Sequence, residues 1–111
     1  MTLKQKIRDF QKEIIPKIPE EVLSTIMRTS EELAERNLEA GALKNGDTIP
    51  SFELTDALGE ARSSDQFLKN GPLVISFYRG GWCPYCHLEL RALQKVLPEI
   101  KASNATLLAI S

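Results

Sequence analysis

The stretch LVISFYRGGWCPYCHLEL, residues 73–90, decides the fold of this chain. Its first six residues form an almost continuous apolar run, which is typical of a β-strand buried on both faces. Arg79 and two glycines follow, and from Pro84 onward the apolar residues recur at helical spacing. Downstream, ATLLAIS at 105–111 is a second apolar run of strand length. The order strand, glycine turn, helix, strand predicts a parallel βαβ unit with a right-handed crossover.

Both cysteines of the chain, Cys83 and Cys86, lie at the turn between the first strand and the helix. Their spacing places the two sulfurs on one face of the first helical turn, close enough to form a disulfide. Unpaired N–H groups and the partial positive charge of a helix N-terminus stabilise a thiolate, which is the reactive form of cysteine. Pro84 suits an early helical position, because its missing N–H would be unpaired in any case. The pattern therefore predicts a redox-active pair.

Zinc binding and passive burial are the alternatives for this pair. A structural zinc site needs four ligands, whereas the chain offers two cysteines and one histidine, His87, adjacent to Cys86. A zinc ion shared between subunits stays open, and within one chain we expect neither a metal nor another cofactor. Two inert cysteines fit the position less well, since a CxxC beside a βαβ pattern is typical of thioredoxin-like redox sites.

Residues next to the cysteines are candidates for supporting roles. Trp82 either shields Cys83 and offers a partner protein an apolar contact, or packs in the core. Arg79 ends the strand and would lower the pKa of a nearby thiol, unless it is an ordinary exposed arginine. For His87 we expect a solvated helix face, since successive helical residues point in different directions.

The first forty residues are predicted to be helical and carry no motif for chemistry. Thr2 and Gln5 fit a capping box, and the prolines at 16 and 19 separate two helices. The second helix is expected to continue to Gly41 as its terminal glycine. We therefore predict a helical arm over 1–44, which packs or makes an oligomer contact, and an α/β domain over 45–111.

Within the α/β domain, the alternation of apolar and polar residues over 52–63 predicts a short hairpin that turns at 56–59. Ser64 is expected to cap a short helix that ends at Gly71. Pro98 lies inside the long helix that follows the cysteines, and we expect it to kink or end that helix.

FYRGGWCPYCHLELRALQ, residues 77–94, resembles the signature of the peroxiredoxin-like proteins of the alkyl hydroperoxide reductase/thiol-specific antioxidant superfamily. GDTIPSFELTDALGE, residues 46–60, is similar to the opening hairpin of peroxiredoxins, and LLAIS, residues 107–111, to the strand after their active-site helix. The resemblance implies an α/β, thioredoxin-like fold of the peroxiredoxin type behind an N-terminal helical arm.

The same resemblance allows two assignments of the attacking cysteine. Against peroxiredoxins, Cys86 and Glu89 match the peroxidatic cysteine and the glutamate that often follows it, while Cys83 and Arg79 replace a threonine and a proline. Against thioredoxins, Cys83 attacks and Cys86 resolves, and the dipeptide Pro84–Tyr85 is similar to that of glutaredoxins. We favour disulfide exchange, because two positions that help to bind peroxide are altered.

The implied function is therefore that of a thiol-dependent oxidoreductase. Its expected partners are a thiol or disulfide of another protein, or a small-molecule thiol or hydroperoxide. The first alternative is an atypical peroxidase in which Cys86 attacks and Cys83 resolves. The second is a non-enzymatic interaction module with a vestigial redox pair or a zinc-bridging pair.

Composition narrows the setting in which this chemistry would take place. The 111 residues are 42% hydrophobic and 26% charged with a net charge of −1, which favours neither nucleic acid nor an anionic membrane surface. No apolar run approaches the ~20 residues that span a bilayer. We expect a cytoplasmic location, where a lone CxxC is usually catalytic or metal-binding.

A complete thioredoxin fold also has a second half, a ββα unit. The last residue, Ser111, follows the first βαβ half directly, so we expect the C-terminal half of the fold to be absent from these 111 residues. Without the strand that would pair beside residues 73–78, that apolar strand presents an open edge to other chains. We therefore expect an incomplete chain, a homodimer that covers this edge, or a poorly soluble product.

Overall fold

The computed structural model describes all 111 residues, which form two compact units, Met1–Ile49 and Pro50–Ser111. The division lies near the boundary predicted after residue 44. In the first unit, helix α1 (Leu3–Ile14) begins with the predicted capping box. The N–H of Gln5 donates to the hydroxyl oxygen of Thr2 over 3.2 Å, and the N–H of Thr2 donates to the Gln5 side chain over 2.9 Å.

The second helix of this unit is shorter than the sequence suggests. A 3-10 turn (Ile15–Lys17) separates α1 from helix α2 (Glu20–Glu35). The prediction that this helix continues to the glycine at position 41 is wrong. Asn37 takes the left-handed φ of 49° after α2, and a short 3-10 helix (Leu38–Gly41) follows. Asparagine tolerates this conformation because its short side chain bonds locally, so it ends the helix without a glycine.

The second unit opens with the predicted hairpin. Strand β1 (Glu53–Thr55) pairs antiparallel with strand β2 (Ala61–Ser63), and Glu53 lies opposite Ser63. Helix α3 (Ser64–Leu68) follows at once, but its cap is Ser63 and not Ser64 as predicted. The hydroxyl of Ser64 is used elsewhere, because it is buried and accepts the N–H of Phe52 over 2.9 Å.

The predicted βαβ unit is confirmed. Strand β3 (Leu73–Phe77) leads through the glycine turn into helix α4 (Pro84–Ala102), and strand β4 (Thr106–Ile110) follows. The strands are parallel, and their pairing extends from Leu73 opposite Thr106 to Phe77 opposite Ile110. No helix combines the length and apolar character that crossing a membrane requires.

The structure corrects two local expectations for this unit: the burial of β3 on both faces and the ending of α4 at Pro98. Strand β3 is not buried on both faces: Ser76 is buried, whereas Phe77 is 74% exposed. Ser76 contacts Glu89 of α4, and neighbouring strand residues point to opposite faces, so Phe77 points away from the helix that covers its neighbour. Pro98 does not end α4, which continues to Ala102, because a proline removes one backbone hydrogen bond while the other turns of the helix remain bonded.

Candidate redox site

The two cysteines lie where strand β3 gives way to helix α4. Cys83 is the N-cap of α4 in an extended conformation, and Pro84 is the first helical residue. The N–H of Cys83 donates to the carbonyl of Gly80 over 3.1 Å, which closes the glycine turn. The carbonyl of Cys83 in turn accepts the N–H of His87 over 3.1 Å, as the first bond of the helix. The local fold thus fixes one cysteine outside the helix and the other within its first turn.

Each sulfur receives a backbone N–H group. The N–H of Cys86 lies 3.3 Å from the Sγ of Cys83, and the N–H of Arg79 lies 3.5 Å from the Sγ of Cys86. Both cysteines are free thiols. The donors that a helix N-terminus leaves unpaired are therefore directed at the sulfur of Cys83, where they favour the ionised form.

The pKa of the Cys83 thiol is lowered below its ordinary value. The largest cause is a hydrogen bond from the Cys86 side chain, and burial of the sulfur acts against it. The N–H of Cys86, the positive charge of Arg79 and the N–H of Tyr85 lower the pKa further. Cys83 is therefore ionised to a greater extent near neutral pH than a free cysteine, whose pKa is about 8.5.

Cys86 is the more accessible of the two cysteines. Cys83 is only 1% exposed, whereas Cys86 is partly exposed. The thiol with the lowered pKa is thus the less accessible of the two, and a substrate disulfide reaches its sulfur only when neighbouring residues move.

Arg79 and Trp82 flank the pair on the strand side. The guanidinium carbon of Arg79 lies 4.8 Å from the centroid of the Trp82 ring, within the range of a cation–π contact. Trp82 is 69% exposed, so the interpretation of this residue as part of the core does not fit the structure. Both side chains therefore present a cationic and aromatic surface next to the cysteines.

Glu89 and His87 make contacts that the sequence does not reveal. The carboxylate of Glu89 accepts a hydrogen bond from the hydroxyl of Ser76 over 3.4 Å. The Nε2 of His87 lies 2.6 Å from the carbonyl oxygen of Gly81, so the imidazole N–H donates across the glycine turn. The side chain of His87 is exposed, as expected, yet it also joins the helix to the turn. A histidine placed six residues after a glycine gives no recognisable signal for this contact.

Metal binding finds little support in the arrangement of the side chains. No group of three or more His, Cys, Asp or Glu side chains lies close enough together to hold a metal ion. Within one chain, Cys83 and Cys86 therefore lack the further ligands that a structural zinc site uses.

Comparison with known proteins identifies the family. Residues 45–111 match the family model described as the AhpC/TSA family. Over 65 residues the chain is 39% identical to "Putative peroxiredoxin Rv1608c" of Mycobacterium tuberculosis (strain ATCC 25618 / H37Rv), a match that covers 56% of this chain and 42% of that protein. Over 66 residues it is 33% identical to "1-Cys peroxiredoxin PER1" of Hordeum vulgare, covering 60% of this chain and 30% of that protein. No solved structure matches.

The matches differ in how much of each protein they cover. The match covers less than half of either relative, 42% of the mycobacterial protein and 30% of the barley protein. The family match extends over more than half of this chain and includes the hairpin, the βαβ unit and both cysteines. It confirms the resemblance of the α/β part of the chain to this family, and the α/β elements are those of a thioredoxin-like domain of the peroxiredoxin type. The chain belongs to the AhpC/TSA family.

Proposed function

We propose that this protein is a thiol-disulfide oxidoreductase in which Cys83 attacks a substrate disulfide and Cys86 resolves the product. The observation that carries the proposal is the position of Cys83 as the N-cap of α4, with a lowered thiol pKa and the N–H of Cys86 on its sulfur. Membership of a family whose relatives are named peroxiredoxins supports thiol-dependent redox chemistry.

The proposed reaction has two exchange steps. The thiolate of Cys83 bonds to one sulfur of the substrate disulfide, the S–S bond breaks, and the first product leaves as a thiolate with the bonding electron pair. Cys86 then loses its proton to solvent and attacks the Sγ of Cys83, which releases the second thiolate. The substrate gains two electrons, the protein becomes a disulfide, and an external dithiol restores it.

Single-cysteine variants test this order. Reduced wild type, Cys83→Ser and Cys86→Ser are mixed with a small chromogenic disulfide, and thiol release is followed by stopped flow. We expect wild type to release two thiols per protein and Cys86→Ser to stop at one, with a stable mixed disulfide. Cys83→Ser should lose the fast phase. If Cys83→Ser reacts at the wild-type rate, Cys83 is not the attacking residue.

Hydroperoxide reduction by Cys86 is a second candidate, favoured by the greater exposure of that thiol and by the N–H of Arg79 at its sulfur. The Cys86 thiolate would attack one peroxide oxygen, break the O–O bond and become a sulfenic acid, while the other oxygen leaves as water or an alcohol after protonation. Cys83 would then condense with it, releasing water and forming the disulfide. A sulfenic acid trapped on Cys86 in Cys83→Ser supports this candidate, and the absence of any reaction with peroxide removes it.

A homodimer is the assembly that we propose. Strand β3 pairs only with β4, so one edge of β3 carries no strand, and Phe77 on this strand is 74% exposed. A second copy that pairs along this edge would satisfy its free backbone groups and cover the aromatic ring. Sedimentation equilibrium over a wide concentration range should show a dimer. A monomer at every concentration excludes this assembly.

A further inference from the structure

Arg79 interacts with both cysteines and with Trp82. Its backbone N–H lies 3.5 Å from the Sγ of Cys86, and its positive charge lowers the pKa of Cys83. Its guanidinium carbon lies 4.8 Å from the ring centroid of Trp82. The guanidinium thus lies over the residue that precedes Cys83, and its charge acts on the Cys83 thiol, so a group that it binds is held on the Cys83 side of the site.

The guanidinium of Arg79 has no anionic partner within the chain. The ion pairs of the protein involve Lys17, Arg28 and Arg62, and the side chain of Arg79 is exposed. A guanidinium that packs against an aromatic ring keeps its N–H groups in their own plane, and those groups match the two oxygens of a carboxylate. The contact with Trp82 also restricts the side chain before a ligand arrives, which lowers the entropy that binding costs.

Gly80 and Cys83 add constraints on this arrangement. A Cβ on Gly80 would lie 2.5 Å from the Nε1 of Trp82, so glycine allows the indole to fold back close to the turn. The sulfur of Cys83 is nearly inaccessible at 1% exposure, which favours a small substrate over the surface of a folded protein.

We propose that Arg79 is a specificity-determining residue that selects small disulfides carrying a carboxylate close to the reacting sulfurs. The proposal rests on the disulfide exchange described above and adds the chemical class of the substrate. The carboxylate binds the guanidinium, and the S–S bond is thereby placed next to Cys83, the attacking residue. A neutral disulfide of similar size lacks this anchor and reacts more slowly relative to its intrinsic reactivity.

Two chromogenic disulfides of opposite character test the selection. 5,5′-Dithiobis(2-nitrobenzoate) carries two carboxylates, whereas 4,4′-dithiodipyridine is uncharged at neutral pH. Reduced protein reacts with each in stopped flow, and both rate constants are divided by those of a free small thiol. In both reactions the two exchange steps described above oxidise the protein to its disulfide and release two product thiols.

We expect Arg79→Gln to lower the normalised ratio of the anionic to the neutral rate constant by about fivefold, the effect of losing one solvent-exposed ion pair. Any change in thiolate fraction at Cys83 affects both probes equally and cancels in this ratio. Arg79→Lys keeps the charge and should retain part of the preference. Arg91→Gln, which removes the same charge from an exposed position farther along α4, should leave the ratio unchanged. Added salt should lower the wild-type ratio by screening.

The outcomes separate this inference from the proposed function. If both probes react with wild type and the ratio is the same in Arg79→Gln, Arg79 does not select anionic substrates, although disulfide exchange stands. An equal loss with both probes has the same meaning, because Arg79 then acts only through the thiol. If neither probe reacts with wild type, the proposed disulfide exchange fails and the inference fails with it.

Discussion

The backbone N–H of Cys86 lies 3.3 Å from the Sγ of Cys83, across the first turn of helix α4. The sulfur of Cys86 is in turn 3.5 Å from the N–H of Arg79, just before the glycine turn. Each sulfur thus has a backbone N–H group as its partner, and Cys83 is the N-cap residue of the helix. The pKa of the Cys83 thiol is lowered although the sulfur is buried, chiefly by the hydrogen bond from the Cys86 side chain and further by the N–H of Cys86.

The reduced protein should become more stable as the pH rises towards about 8.5, the ordinary cysteine pKa. The folded-state pKa of Cys83 is lowered, so ionisation favours the folded state above that pKa, and the contribution is lost as the pH falls through it. Urea unfolding under reducing conditions at several pH values measures this slope. Cys83→Ser should flatten it in the same window, and an identical slope in that variant contradicts the assignment.

Gly80→Ala should destabilise the fold by about 1 kcal/mol or more, because a residue with a side chain is strained there. Gly80 has a φ of +154°, and a Cβ would lie 2.5 Å from the Nε1 of Trp82. Urea unfolding gives the free energy, and the fluorescence of the single tryptophan reports displacement of the indole. Gly81→Ala is the matched control, since nothing lies within 4 Å of a Cβ at that position. Equal effects of the two substitutions would show that the close approach to Trp82 is unimportant.

Removal of the imidazole in His87→Ala should cost about 1 kcal/mol, the typical contribution of one hydrogen bond. The Nε2 of His87 lies 2.6 Å from the carbonyl of Gly81, so its loss frees the turn that precedes Cys83. We expect faster alkylation of the buried Cys83 as well as lower stability. Gln94→Ala, on an exposed position of the same helix, serves as the control. Unchanged alkylation of Cys83 in His87→Ala would show that the contact does not hold the turn.

Asp56→Asn should make the stability less sensitive to acid. The pKa of Asp56 is lowered, chiefly because the backbone N–H of Glu60 donates to its carboxylate, and also by Arg62. The resulting stabilisation is present above about pH 3.9 and is lost as the pH falls through the folded-state value. The free energies of unfolding of the variant and of wild type should therefore differ less at low pH than at neutral pH, which urea unfolding at several pH values measures. Asp9→Asn, an exposed aspartate of α1, is the control, and equal behaviour of the two variants would exclude this role.

The sequence predicts the βαβ unit because its signals are local and agree with one another. The apolar run before Gly80, the proline after Cys83 and the helical spacing that follows all specify the same turn. Exposure is a different matter, since it depends on which layers cover a strand. Phe77 is therefore exposed despite its apolar neighbours.

Caps and cross-turn contacts also lie beyond the sequence pattern. The sequence does not distinguish Ser63 from Ser64 as the cap of α3. Ser63 is the cap because the hydroxyl of Ser64 accepts the N–H of Phe52. The contact of His87 with the Gly81 carbonyl depends on the path of the glycine turn. The relative burial of Cys83 and Cys86, on which the order of attack depends, is likewise visible only in three dimensions.

The most direct test of the central claim identifies the sulfur that first bonds to a substrate. Reduced wild-type protein is mixed with one equivalent of 5,5′-dithiobis(2-nitrobenzoate), quenched with acid during the first turnover, and digested for peptide mass mapping. We expect the aromatic thiol adduct on Cys83, the thiol with the lowered pKa. An adduct found on Cys86, with Cys83 unmodified, contradicts the proposed order of attack.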